Sequence, residues 1–204
     1  MTEKQKKTHR QIQKEDTRRI ILDSAYNLFA EKGYAKTTMR SLAKKAGVGL
    51  GTISKHFPDK PSLLAAAFQE DLSQIIQDSF VSLPAAGLIN QLLHIVESIY
   101  TFYAARPDVS RALIKEILFL DGAYGKALDA QVYELLGKIE KLIENAIANG
   151  ELEPEINIET GAQAFWSFYF MVLIVGLKEP VFDKDRQLKI LETLLVQHFY
   201  GRRD

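Results

Sequence analysis

The 204-residue chain contains no cysteine. That absence excludes disulfide scaffolds, thiolate metal sites, iron–sulfur clusters and cysteine nucleophiles. It fits a reducing compartment, and the sequence predicts a cytoplasmic protein. Twelve Gly and six Pro are too few for a collagen-like or low-complexity chain. No segment sustains the period-two alternation of strands. Phosphate-binding loops are missing, no His pair stands at i, i+4, and each of the four His is isolated. The sequence therefore predicts no metal, no cofactor and no enzyme. The first 20 residues carry seven Lys/Arg and no apolar stretch, so no secretory signal is expected. The uncharged run Ala162 to Leu177 is shorter than the roughly 20 residues of a membrane-spanning helix. It contains Gln163 and Ser167 and is bounded by Glu159 and Lys178, which predicts a helix buried on all sides and no membrane.

What is present is an ordinary globular mixture, 47% apolar and 25% charged, able to fill a sizeable core. The formal net charge of zero hides an asymmetry. Residues 1–60 hold 14 Lys/Arg against 6 Asp/Glu, a net of +8, and residues 61–204 hold 12 against 20, a net of −8. A basic head on an acidic body points to a polyanion partner for the head.

The recurrent apolar period is 3.6, which predicts an all-α chain of nine helices. The first spans about 16–32, with Ile21, Ala25, Leu28 and Phe29 on one face, and Gly33 ends it. Thr38 is placed to cap a second helix that stops at Gly47. A short third helix lies near 50–57, and a fourth starts after Asp59 and reaches about Phe80. Leu88 to Ala105 forms the fifth, and a short sixth runs to about Leu120. Asp121, Gly122 and Gly125 read as a loop. A long seventh helix runs from Leu128, and Glu151 to Asn157 as an acidic loop. The eighth spans about 159–177, and the ninth carries Leu188, Leu191, Leu194, Leu195 and Phe199. Three segments follow: a disordered basic arm over 1–15, a head over 16–60 and a larger helical body over 61–204.

The run Met39 to Pro58 places Ala43, Gly47 and Ile53 where a tight helical hairpin needs them. Ala43 is small where two helices cross, Gly47 permits a left-handed turn, and Ile53 plugs the angle between the helices. This is the helix-turn-helix arrangement, whose second helix enters the major groove of DNA. Acidic residues are absent from 32 to 58, and Lys44, Lys45, Thr52, Ser54, Lys55 and His56 point outward. The bland alternative is a helical hairpin with a solvated basic face.

From Arg18 to Phe68 the sequence resembles the TetR family of bacterial transcriptional repressors. The resemblance is carried by Ile21 to Ala25, Leu28-Phe29, Lys32 to Tyr34, Thr37 to Arg40, Leu42-Ala43, Ala46 to Val48, Gly51 to Ile53, His56-Phe57, Lys60 and Leu63-Leu64. It implies that Gly49, Leu50, Gly51, Thr52, Ser54, Lys55 and His56 lie at the groove, with Thr52 and Lys55 reading base edges. Thr38, Arg40, Ser54, His56 and Lys60 are placed to hold phosphates. Two departures stand out: Gly49 replaces the usual Ser or Thr cap, and Ser54 replaces a common Tyr.

The same resemblance implies a homodimer on a near-palindromic double-stranded operator, paired through the last two helices. Phe165, Tyr169, Leu188, Leu191 and Leu195 are the interface candidates. It also implies that the body over 61–204 binds a small-molecule effector and pairs the two copies, and His94, Tyr100, Tyr103, Phe119, Tyr124, Tyr133, Trp166 and Phe170 are the candidate effector wall. Aromatic residues at helical spacing also serve as plain core. The competing class is a DNA-bound scaffold that acts through a protein partner without an effector.

Overall fold

The computed structural model describes residues 8–201, and among these it contains nine α-helices and no strand. In chain order they are α1 (His9–Lys32), α2 (Met39–Ala46), α3 (Leu50–His56), α4 (Lys60–Val81), α5 (Leu88–Ala105), α6 (Pro107–Ile117), α7 (Gly122–Ala148), α8 (Ile158–Lys178) and α9 (Lys184–Tyr200). The chain divides into two compact units, Met1–Phe68 and Gln69–Asp204, so the division falls within α4 and not at 60/61.

In the first unit, α1 begins seven residues earlier than its apolar stripe predicts. The cause is a capping box. The Thr8 side chain accepts from the Gln11 backbone N–H, and the Gln11 side chain accepts from the Thr8 N–H. These bonds satisfy two end groups and extend the helix over a stretch that buries nothing. Residues 9–15 are therefore helical, and the remainder of the expected disordered arm, residues 1–7, lies outside the described residues. Ile21, Ala25 and Phe29 of α1, Leu42 of α2, Ile53 of α3 and Phe57 are all completely buried. Full burial of Ile53 contributes about 1.5–3 kcal/mol. Since α3 has only seven residues, too few to be stable alone, this packing is what holds it.

In the second unit, α5, α7, α8 and α9 bury Leu92, Ile95, Ile139, Ile143, Leu173, Leu191 and Leu195. By length and composition α8 could cross a membrane, with 44% of its most apolar window buried inside the fold. It is not buried on all sides. Met171 and Val175 are 48% and 47% exposed. The acidic loop is less solvated than its composition suggests. The Glu151 carboxylate accepts from the Leu88 backbone N–H, at 2.7 Å, and from the Tyr200 hydroxyl. It thereby caps α5 and fastens the end of α9.

Gly122 and Gly125 belong to the first turn of α7 and not to a loop, and α6 ends at Ile117. Gly122 takes a positive φ of 77°, which lets the chain enter the helix sharply. At Gly125 a β-carbon would stand 1.7 Å from the Leu120 carbonyl oxygen, so a side chain there displaces backbone. At Gly137, in the middle of the same helix, a β-carbon meets nothing. The two alanine substitutions should have opposite signs. Gly125→Ala should lower stability by about 2 kcal/mol or more, and Gly137→Ala should raise it by about 1 kcal/mol, both read from denaturant unfolding.

Candidate nucleic-acid interface

The geometry of the hairpin is set at its turn. Gly47 ends α2 with φ 66° and ψ 27°, a left-handed conformation costly for any residue with a β-carbon. Its N–H donates to the Ala43 and Lys44 carbonyls, and Val48 N–H reaches back to the Ala43 carbonyl. The start of α2 is fixed by a second capping box. Thr38 Oγ1 accepts from Ser41 N–H, and Ser41 Oγ accepts from Thr38 N–H. Gly49 caps α3 with backbone alone, in the extended conformation usual for that position.

On this frame α3 presents Leu50, Gly51, Ser54 and Lys55 to solvent, with Thr52 and His56 half-buried. Leu50 is 44% exposed, an apolar contact of the kind that meets a thymine methyl. Thr38 and Arg40 are exposed at the start of α2. Lys45 is drawn away by an ion pair with Glu31 at 3.1 Å. The His56 imidazole is pulled below its ordinary pKa by burial, then by the charges of Lys14 and Arg18, so it is neutral at pH 7. That places the extended start of α1 beside the recognition helix, an arrangement invisible to apolar periodicity.

Lys60 departs from its expected role. Its ammonium donates to the Tyr34 and Thr37 carbonyls, at 3.0 and 3.1 Å, and stands 4.0 Å from the Tyr34 ring centroid. The side chain ties the α1–α2 loop to the first turn of α4 and does not reach outward as a phosphate grip. The Asp59 carboxylate accepts from Ser62 N–H and caps the same turn.

The residues expected to wall an effector site divide. Tyr100 and Tyr103 are buried and packed with Tyr169. Rings 100 and 169 stack at 5.7 Å, and the Tyr100 hydroxyl donates to the Tyr169 carbonyl at 2.9 Å. Burial pushes the Tyr103 phenol up to about 12 and also raises the Tyr100 and Tyr169 phenols well above their ordinary value. Trp166 stacks on Phe170 with centroids 5.6 Å apart, and Tyr124 is half-buried on α7. Phe119 is 87% exposed in the α6–α7 connection and Tyr133 is 72% exposed, so neither lines an interior. His94 is bonded to Ser82 at 3.0 Å. The interface candidates are also relocated. Phe165, Tyr169, Leu191 and Leu195 are buried within the chain itself, and Leu188 is half-buried.

The reassignment of Lys60 has a measurable consequence. Lys60→Ala removes two charge-assisted hydrogen bonds and a ring contact, and should destabilise the chain by about 2 kcal/mol in urea unfolding. A variant as stable as the parent would return Lys60 to the list of solvent-facing cations.

Residues 21–67 match the family described as bacterial regulatory proteins, tetR family. Among relatives, the transcriptional regulator AcrR of Shigella flexneri is 34% identical over 120 residues, covering 56% of this chain and 52% of that protein. The chain thus spans about half the length of that relative. The transcriptional repressor KstR of Mycobacterium tuberculosis is 29% identical over 183 residues, 89% of this chain and 81% of that one. In fold the chain is similar to FadR of Thermus thermophilus, a TetR-family repressor solved in complex with lauroyl-CoA. There the TM-score is 0.69 at 19% identity, over 92% of this chain and 95% of that one. The helix-turn-helix built on Gly47 and the match across it lead to one assignment: residues 21–67 form a DNA-binding segment of the tetR family of bacterial regulatory proteins, in a chain whose fold is similar to that of TetR-family repressors.

Proposed function

We propose that the protein is a repressor that binds a near-palindromic operator as a homodimer and is released by a small, mainly apolar or aromatic ligand. The observation that carries the reading is the α2–α3 hairpin. It presents Arg40, Lys44, Lys55 and hydroxyl groups to solvent, with no acidic residue between positions 32 and 58. Such a surface gains affinity from phosphates and selectivity from base edges. The acyl chain of the lauroyl-CoA held by the Thermus thermophilus repressor supports an effector with a large apolar part. Ligand release requires different ligand affinities in the DNA-bound and DNA-free states.

For the homodimer, the supporting feature is the open face of α8 and α9. Met171 and Val175 on α8, with Ile190 and Val196 on α9, are apolar and between 38% and 48% exposed. These four replace the buried residues first assigned to the interface.

The test begins with duplexes selected from a random pool by the protein itself, followed by fluorescence anisotropy beside a scrambled duplex. Selective, salt-sensitive binding is the expected result, and equal binding to both duplexes would sink the reading. Lys55→Ala should cost about 1–3 kcal/mol and relax one operator position. Met171→Arg should leave the fold intact, sediment as a monomer and bind the operator about 100-fold or more weakly. Leu191→Arg places a charge in the core and should unfold the body, so the pair separates interface from core.

A further inference from the structure

Between the start of α1 and the recognition helix lies a groove of about 380 Å³, lined by Arg10, Gln13, Lys14, Thr17, Thr52, Lys55 and His56. Its charged lining is entirely basic. Neither Glu15 nor Asp16, the two acidic residues between Lys14 and Thr17, lines the groove, and Asp16 is held in an ion pair with Arg19. One wall comes from α3 and carries Thr52 and Lys55. The other comes from the extra turns of α1 that the Thr8–Gln11 capping box creates. Arg10 and Lys14 stand one helical turn apart on that wall, about 6 Å along the axis. Both are exposed.

We infer that this groove is a backbone subsite of the DNA interface, seating consecutive phosphates of the strand that borders the bases read from α3. The inference rests on the operator-binding reading above and adds to it a named set of contacts outside the hairpin. Three physical points support it. A concave basic cleft concentrates field lines toward a polyanion. Cations one turn apart on a capped helix are held in fixed register, unlike cations on a free arm, so they lose less side-chain and backbone entropy on binding. The groove also shares Thr52 and Lys55 with the base-reading face, so a strand seated in it is carried past those side chains. Phosphate contacts of this kind fix register without reading sequence.

The measurement is the salt dependence of operator affinity. Wild type, Arg10→Gln, Lys14→Gln and the double variant are titrated by anisotropy onto the selected operator duplex between about 50 and about 200 mM salt. Each single variant should lower the slope of log K against log salt by about 0.9 and the double variant by about 1.8. The ranking of operator sequences should not change. Lys14→Arg should restore the wild-type slope. Circular dichroism and thermal melting should match wild type, because both side chains are exposed. Ethylation of the backbone phosphates seated in the groove should weaken wild type and have little effect on the double variant. Wild-type slopes in all variants, with selective binding retained, would overturn the subsite and leave the operator reading standing. Loss of selectivity in the wild type itself would overturn both.

Discussion

A left-handed residue at position 47 is the constraint on which the DNA-facing unit depends. The turn between α2 and α3 is two residues long, Val48 and Gly49, once Gly47 has closed α2. So short a link leaves the direction of α3 to the backbone at Gly47 and the close crossing at Ala43. Ile53 then fills the angle that those two residues create, at full burial. A seven-residue helix with a glycine cap and no side-chain cap has little stability of its own. The recognition surface therefore takes its rigidity from packing behind it, and its outward residues are free of any structural duty. On that separation, changes at the exposed Leu50, Ser54 and Lys55 leave the packing behind α3 untouched.

Charge in the head is divided between two tasks, and composition alone counts them together. Lys60 and Lys45 are spent internally, on loop carbonyls and on Glu31. Burial, helped by the charges of Lys14 and Arg18, keeps the His56 imidazole neutral, which leaves it a directional hydrogen-bonding group at physiological pH instead of a further cation. The net of +8 over residues 1–60 therefore does not measure the charge that faces a polyanion. Among the described cations, Arg10, Lys14, Arg40, Lys44 and Lys55 remain exposed on α1, α2 and α3, with Lys32 and Lys36 exposed at the end of α1 and in the loop that follows.

The hairpin was legible in the sequence because its turn, its crossing and its plug each demand a particular residue type. The bounds of α5, Leu88 and Ala105, were legible for a similar reason, with Gly87 before and Arg106-Pro107 after. The first turns of α1 were not, because apolar periodicity is silent where a helix buries nothing. A signal did exist in Thr8-x-x-Gln11, the spacing of a capping box. The inward and outward faces of α8 were illegible for the opposite reason: the helix is apolar nearly all round, so periodicity cannot say which side meets the core. Phe165 and Tyr169 went inward, and Met171 and Val175 stayed open. Lys60 shows a third limit, since a lysine bound to carbonyls 23 and 26 residues away looks in sequence like any surface cation.

The body poses a different physical problem, the burial of three phenols. Tyr100, Tyr103 and Tyr169 lie in the core, where an unbonded hydroxyl costs about 1–3 kcal/mol. Each finds a partner within the group: Tyr100 donates to the Tyr169 carbonyl, and a hydrogen bond joins the Tyr103 and Tyr169 side chains. Tyr100 also meets Phe182 edge-on at 5.5 Å. The cluster thus links α5, α8 and the α8–α9 connection through directional bonds, where apolar contacts alone would allow sliding. A ligand that competed for one of these hydroxyls would have to replace its bond, so an apolar effector that leaves the cluster intact meets the smaller cost. The same bonds tie α5 to α8, the helix whose Met171 and Val175 stay open on its other side.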